Sequence, residues 1–136
     1  MELDEARTFL RENTHGVVAT YRRDGSTQMS PVLVAVDDGG RVMISTRETA
    51  FKVAHLRRDP RVSLLVVADS WFGAGVQVDG TATIISLPDA MDLLVDLYRH
   101  AMGEHPNWDE YREAMTKDQR CIIAITIERA GPDRRG

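Results

Sequence analysis

Hydrophobic and polar positions repeat along this chain with two different periods, one typical of helices and one typical of strands. Helical spacing at the start predicts an amphipathic helix over residues 2–13. Strict alternation then predicts three strands, over residues 15–21, 27–36 and 41–46. The first two strands are joined by a hairpin-turn sequence, Asp24-Gly25. Consecutive strands joined by such short turns favour an antiparallel sheet.

The second half of the chain changes period more often. The elements predicted there are a helix over 48–58, strands over 61–69 and 75–86, helices over 86–103 and 107–115, and a strand over 119–128. The Ser86 and Asp89 pair has the pattern of a capping box, Gly103 is a typical helix end, and Asn107 is a typical helix start. Gly80 predicts a bulge in the long strand.

Six antiparallel strands with flanking helices predict a mainly β fold of the α+β class. A small barrel is favoured because closure removes exposed sheet edges. Pro31 lacks a ladder donor, so an edge or a bulge is expected near Ser30 and Pro31. The length of 136 residues fits one domain, residues 1–136, with a polar tail over 130–136 that we expect to be mobile.

The composition excludes several classes of partner. A formal net charge of −4 argues against electrostatic attraction to nucleic acid or to an anionic membrane. The chain has no apolar stretch near the ~18 residues that a membrane span requires. The acidic start, residues 1–5, lacks the basic-then-apolar order of a signal peptide. We therefore expect a soluble cytoplasmic protein.

The net charge is unevenly distributed. The window over residues 41–61 contains six basic and two acidic residues, for a net charge of +4, and the rest of the chain carries −8. Two interpretations remain open for this window. It is either a solvated basic face or the wall of a site for an anionic ligand.

Motifs of self-sufficient catalysis are missing from the sequence. It contains no Gly-x-Ser-x-Gly elbow, no phosphate-binding loop and no Gly-x-Gly-x-x-Gly turn. His100 and His105 are five residues apart, which does not place two imidazoles on one helix face for a metal, so no metal site is predicted. Cys121 lies in an alternating apolar strand and is expected to be a buried, inert thiol.

Hydroxyls and cations surround the predicted junction between the third strand and the second helix. Ser45-Thr46-Arg47 ends the strand, and Thr49 and Lys52 follow at the helix start. Such groups together can bind an anion, although the hydroxyls could equally cap the helix while Lys52 is solvated. The Trp71-Phe72 pair lies between glycine-containing segments and could cover a flat ring or pack in a core or dimer contact.

Two stretches of sequence resemble a known family. Residues 44–52, followed by His55-Leu56-Arg57-Arg58-Asp59-Pro60-Arg61-Val62-Ser63, resemble the pyridoxamine-phosphate-oxidase-like split β-barrel superfamily. The segment from Gly103 to Arg112 is similar to the branch that uses the deazaflavin coenzyme F420. The resemblance covers about residues 3–128. It implies a six-stranded antiparallel split β-barrel of the FMN-binding type and a homodimer with cofactor sites at the subunit interface.

The resemblance also implies cofactor-binding residues. It implies contacts with the cofactor phosphate at Ser45, Thr46 and Lys52, and contacts beside the ring system at Gln28, Ser30 and Pro31. It implies a polar cofactor contact at His55 and a cover from the neighbouring subunit at Trp71. FMN-binding members usually carry an arginine directly before the lysine, where this chain has Phe51, so Arg47 or Arg57 is expected to substitute. Catalytic residues stay unassigned.

The function implied is an F420-dependent oxidoreductase that passes hydride from the reduced deazaflavin to an unsaturated or quinone-like small molecule. Such an enzyme needs few acid–base side chains because the cofactor carries the hydride chemistry. The sequence lacks the C-terminal Trp and Arg segment of vitamin B6 oxidases, which argues against that reaction. The alternatives are an FMN-dependent oxidoreductase on the same scaffold and a non-catalytic protein that binds F420 or a flavin.

Overall fold

The computed structural model describes residues 1–69 and 73–131 and the backbone of 134–135, and in these residues it contains four helices and seven strands. The helices are α1 (Leu3–Glu12), α2 (Phe51–Arg58), α3 (Met91–Met102) and α4 (Trp108–Lys117). The strands are β1 (His15–Tyr21), β2 (Thr27–Val36), β3 (Val42–Arg47), β4 (Arg61–Val67), β5 (Ala74–Ile85), β6 (Arg120–Ala130) and β7 (Arg134–Arg135).

Six of the strands close into an antiparallel barrel. Their order is β4-β1-β2-β3-β6-β5, and a further pairing of β4 with β5 completes the ring. The short β7 pairs with the start of β5. The predicted six-stranded antiparallel barrel with flanking helices is therefore confirmed, because every strand of the ring has a neighbour on each side.

The chain packs around two apolar cores. One fills the barrel and includes Ala6 and Leu10 of α1, so this helix closes the barrel interior. The other lies between the outer face of β2, β3 and β6 and the helices α3 and α4. Strand β6 contributes to both, with Ile123 and Ile125 in the barrel core and Ile122 in the helical core. On the outer face of β1 and β4, the apolar side chains of Val17, Leu65 and Val67 are exposed.

The helices α2 and α3 begin later in the chain than the sequence predicted. Helix α2 begins at Phe51 instead of residue 48, and its N-cap residue, Ala50, provides no side-chain hydrogen bond. The hydroxyls of β3 therefore do not cap this helix. The capping box proposed at Ser86 is wrong, since its hydroxyl donates to the Glu48 carboxylate and α3 begins only at Met91. A side chain that finds a distant partner is not available to cap its own helix.

Two cap predictions are confirmed. The Asn107 side chain accepts a hydrogen bond from the Glu110 backbone N–H at 3.1 Å, as an N-cap of α4. Gly103 ends α3 with a φ of 84°, a conformation that glycine adopts without steric cost. The turn between α3 and α4 is thereby fixed at both ends.

Irregularities of the sheet follow the sequence in part. Pro31 pairs with Val17 in an unbroken register, so no bulge forms there; β3 pairs with β2 only from Val34 onward, and Pro31 lies on the open edge. The bulge expected at Gly80 is present, as a register shift against β6. Strand β6 extends to Ala130, two residues beyond the prediction, so the predicted tail begins inside a strand.

Gly80 supports a test of this sheet geometry. A Cβ at this position would overlap the Thr126 carbonyl oxygen, a backbone atom of the neighbouring strand. We expect Gly80→Ala to lower the free energy of unfolding by about 3 kcal/mol in urea denaturation. In the matched control Gly39→Ala, the nearest atom is the Asp37 Oδ1 at 3.5 Å, and a change within about 0.5 kcal/mol is expected. Equal stability of the two variants would contradict the close approach.

Candidate functional site

A cavity of about 650 Å³ opens between the sheet and the α3–α4 pair. Its walls come from the outer face of β2 and β3, from the start of α2, from both helices of the pair and from the start of β6. Four of the residues predicted to bind the cofactor line it: Pro31, Ser45, Thr46 and Lys52. The fold therefore brings together residues that lie on three different elements.

One set of lining residues is polar and cationic. Ser45 and Thr46 lie near the end of β3, Lys52 lies in the first turn of α2, and Arg120 begins β6. Thr46 is only 4 % exposed, and Lys52 and Arg120 are half-buried. Hydroxyl donors beside two cations in a partly desolvated cavity form a site suited to an anion such as a phosphate.

Lys52 is held in an unfavourable electrostatic environment. Its burial lowers the pKa of the ammonium from the ordinary value of 10.5, and the nearby Arg120 guanidinium lowers it further. An anion bound beside it would reverse both effects by favouring the charged form. The polar part of the cavity therefore favours a ligand with negative charge.

Cys121 lies next to this cationic set and opposite Thr46 in the sheet. Its side chain is fully buried, and burial raises the pKa of the thiol to about 11. A thiol with such a pKa carries little thiolate at neutral pH and is a poor nucleophile. The sequence interpretation of a buried, inert thiol agrees with this environment.

Arg120 is the residue of this site that the sequence analysis missed. Its Nε is buried and has no hydrogen-bond partner among the described residues. It lies directly opposite Arg47 in the β3–β6 ladder. The available signal was a charged residue two positions before the apolar Ile122, on the face that meets the helices. The pairing of β3 with β6, which brings Arg120 to the end of β3, could not be predicted from the sequence.

Another set of lining residues is aromatic and apolar. Tyr98, His105 and Tyr111 face the cavity and form a cluster with Trp108 in which all ring centroids lie 5.0–5.8 Å apart. The Tyr111 hydroxyl donates to the Leu94 carbonyl oxygen at 2.9 Å, which fixes its ring. Such rings, with the apolar residues Pro31, Leu33 and Met102, provide a surface for a flat hydrophobic ring system.

His105 has a defined tautomer when neutral. The Asn107 backbone N–H donates to its Nδ1 at 2.9 Å, so the proton of the neutral ring must lie on Nε2. The sequence interpretation of a surface or capping histidine describes the Nδ1 contact. It leaves out that the same ring lines the cavity.

Gln28 and His55 lie in a separate hollow of about 660 Å³ that also includes Arg22 and Arg58. The His55 Nδ1 is 3.0 Å from the hydroxyl oxygen of Thr20, and both side chains are buried. Burial lowers the pKa of His55 below its ordinary value of 6.5, and Arg58 and Arg22 lower it further. The Gln28 Oε1 is buried and lacks a partner among the described residues.

The other predicted contacts are dispersed. Arg47 lines a smaller hollow beside the cavity and lies 3.9 Å from the Asp118 carboxylate. Arg57 forms an ion pair with Glu48 at 2.8 Å. Ser30 is half-buried on β2, on the same face as Gln28. Trp71 lies outside the described residues.

Some kinds of site find no support in the part of the chain that the structure describes. Within residues 1–69 and 73–131, no three His, Cys, Asp or Glu side chains are grouped so that they could hold a metal ion. None of the described helices combines the length and the apolar character needed to cross a bilayer.

Comparison with known proteins places this geometry in context. A sequence model of the family described as Pyridoxamine 5'-phosphate oxidase matches residues 3–132. A conserved hypothetical protein from Mycobacterium tuberculosis has a similar structure, with 27 % sequence identity and a TM-score of 0.78, over 96 % of this chain and 82 % of that one.

Two further solved structures share the fold at lower identity. A protein named F420 reductase is 20 % identical with a TM-score of 0.72, over 92 % of this chain and 94 % of that one. The heme storage protein of Vibrio cholerae is 14 % identical with a TM-score of 0.73, over 100 % of this chain and 98 % of that one. At these identities the likeness shows the fold alone.

The environment of His55 predicts a pH dependence of stability. Its lowered pKa means that the unfolded chain takes up a proton near pH 6.5 while the folded chain resists it, so stability falls as the pH drops below 6.5. We expect His55→Gln to flatten the decline in the free energy of unfolding between pH 7.5 and 5. One histidine contributes at most about 1.4 kcal/mol per pH unit.

Urea denaturation at several pH values measures this slope. The matched control is His100→Gln, since His100 is exposed on α3. An unchanged slope in the His55 variant, with the wild-type slope present, would show that other groups cause the decline.

Proposed function

The chain belongs to the pyridoxamine 5'-phosphate oxidase family, and we propose that it is a cytoplasmic F420-dependent oxidoreductase of the split-barrel class. It reduces an unsaturated or quinone-like small molecule with hydride from the deazaflavin. The observation that carries this proposal is the cavity, which combines a hydroxyl-lined cationic set of residues with an aromatic and apolar wall. A cofactor made of a planar ring and a phosphate group is complementary to these two parts, since the phosphate suits the cationic residues and the ring suits the aromatic wall.

The residues present fit such a cofactor. Ser45, Thr46 and Lys52 offer the donors and the charge that a phosphate group needs. The Nε of Arg120, which is buried and has no partner among the described residues, supports a donor for the ligand at this place. Pro31, Leu33 and the aromatic cluster would contact the ring system. Such a cofactor supplies the hydride when bound, so the protein need not supply a redox group.

The chain itself binds, orients and excludes water. Burial of Lys52 excludes water that would compete with an anion for the ammonium group, and this strengthens the attraction between the ammonium and the anion. The hydrogen-bonded ring of Tyr111 and the ring of Tyr98 packed against it limit the positions that a flat ring can take. The Nε2–H of neutral His105 is one donor that the aromatic wall could offer to an oxygen acceptor. Its backbone-bound Nδ1 holds the ring in one orientation.

Two alternative functions would use the same cavity, and the experiments below test them together with the proposal. FMN carries the same ring-plus-phosphate pattern, and a protein that binds either cofactor without turnover would need the same walls. The heme storage protein among the structural relatives adds heme as a third ligand to be tested. The relative named F420 reductase, together with the similarity of residues 103–112 to the F420 branch, favours the deazaflavin.

Cofactor titration tests the proposal. We expect purified apoprotein to bind F420 with micromolar or tighter affinity in difference spectroscopy, and to bind FMN and hemin more weakly. Lys52→Ala should weaken F420 binding by ~1–3 kcal/mol because it removes a charged partner of the phosphate. Lys117→Ala, at the end of α4, is the matched control and should bind as the wild type does.

Turnover distinguishes an enzyme from a binding protein. Stopped-flow oxidation of bound, reduced F420 by a panel of quinones and enones should proceed at rates that depend on the acceptor. Tight binding without oxidation by any acceptor would favour a cofactor-binding protein. Tight binding of FMN or heme without binding of F420 would overturn the assignment.

The proposal includes a homodimer, for which the outer face of β1, β2 and β4 gives support. Large apolar side chains are exposed on this face at Val17, Met29, Leu33, Leu65 and Val67, with exposures of 38–68 %. The strand register makes Val17 the direct neighbour of both Pro31 and Leu65. A continuous apolar face of this kind is typical of a protein–protein contact.

The same face reaches the cavity. Pro31 and Leu33 belong both to the apolar face and to the cavity wall. A second copy of the chain packed on this face would therefore come close to the bound cofactor. This continuity favours a second copy as the occupant, in agreement with the expected cofactor sites at a subunit interface.

Light scattering coupled to size-exclusion chromatography tests the dimer. We expect wild-type protein to have twice the mass of the chain, and Leu65→Glu to become monomeric because a carboxylate would be buried in the contact. Cofactor affinity should fall with it, although Leu65 does not line the cavity. Thr83→Glu, which places the same charge on an exposed position of β5, should stay dimeric. A monomeric wild type would refute this part of the proposal.

A further inference from the structure

The Arg120 side chain has an unsatisfied donor in a place where an unsatisfied donor is costly. Its Nε is buried and finds no acceptor within the described residues. A buried N–H without a partner destabilises the folded state, and the loss of stability is larger when the group is charged. Among buried side-chain atoms of the described chain, only one other polar atom, the Gln28 Oε1, lacks a partner.

The surrounding arginines differ from Arg120 in having carboxylates beside them. Arg57 pairs with Glu48 at 2.8 Å, and Arg47 lies 3.9 Å from a carboxylate oxygen of Asp118. Neither Lys52 nor Arg120 forms an ion pair with any described residue. Both cations that line the cavity therefore lack an ion pair within the described part of the chain.

The strand register makes this arrangement more costly. Arg120 is the direct cross-strand partner of Arg47, and like charges in such positions repel each other. The pKa of the Lys52 ammonium is lowered in part by the same guanidinium. Three cations from β3, α2 and β6 thus meet around Thr46, which lines the cavity with Lys52 and Arg120 and the adjoining hollow with all three. An anion at this point would relieve the repulsion and accept a hydrogen bond from the Nε.

We propose that Arg120 is a phosphate-binding residue, which reaches the cofactor site from β6 and completes the charge that Lys52 begins. This inference rests on the proposed function, and it names the residue that acts as the second cation of the site. The residues before Lys52 are Ala50 and Phe51, which carry no charge. Arg120 provides from another strand what the start of α2 lacks. The ligand class is a phosphate ester attached to a planar ring.

Pairs of ligands that differ only in the phosphate isolate this role. The probes are FMN against riboflavin, and F420 against its phosphate-free deazaflavin fragment, each titrated into wild-type protein and into Arg120→Gln. We expect the variant to bind the phosphate-bearing member about 10- to 100-fold more weakly and the phosphate-free member unchanged. Arg11→Gln, an exposed arginine in the last turn of α1 that lines none of the described cavities, is the matched control and should change neither.

Stability of the ligand-free protein separates binding from structure. Arg120→Gln removes one of two opposed arginines, so the thermal midpoint without ligand should stay the same or rise. In inorganic phosphate, at ionic strength matched with sodium chloride, the wild-type midpoint should rise and that of the variant should not. A large loss of ligand-free stability in the variant would indicate a structural role and overturn the inference.

The outcomes distinguish the inference from the proposed function. If wild-type protein prefers the phosphate-bearing ligands and the variant keeps the same preference, the function stands and the role of Arg120 is refuted. If wild-type protein binds neither cofactor, the proposed function fails, and the phosphate titration then decides alone. Equal stabilisation of wild type and variant by phosphate, or none of the wild type, refutes the anion site at Arg120.

Discussion

The burial of strand β6 on both of its faces is the constraint on which the rest of the structure depends. Residues 121–125 are all buried, with Ile123 and Ile125 facing the barrel interior and Ile122 facing the helices α3 and α4. Only a strand lying between two apolar layers can be filled in this way. The pairing of β6 with β3 and β5 therefore closes the barrel and provides the floor on which the helical pair packs.

The candidate site lies where this double burial ends. One residue before the buried run, the outward position of β6 is occupied by Arg120 instead of an apolar side chain. Across the ladder, Arg120 pairs with Arg47, and the neighbouring Thr46 and Ser45 of β3 pair with Cys121 and Ile122. Charge and hydroxyls are thus placed at the border of the helical core, where solvent is partly excluded. In such surroundings a charge interacts more strongly with a ligand than it would on an open surface.

The sequence predicted the barrel well because its signals were local. Alternation, hairpin turns such as Asp24-Gly25 and the cap at Asn107 each act within a few residues. Errors arose where a distant contact competed, as at Ser86, whose hydroxyl binds Glu48 instead of capping α3. The site was predicted in part for the same reason. Ser45, Thr46 and Lys52 are close in sequence, whereas Arg120 joins them only through the β3–β6 register.

The late position of β6 in the chain also bears on how the site comes into existence during folding. Strand β3 ends at Arg47, and its partner strand begins more than seventy residues later at Arg120. Pairings over such sequence distances carry a high loop-closure cost and form slowly. On a ribosome, the β3 hydroxyls and Lys52 would emerge well before β6 could dock. An anion site that needs both β3 and β6 can form only after this late pairing, so an emerging chain exposes Ser45, Thr46 and Lys52 before Arg120 lies beside them.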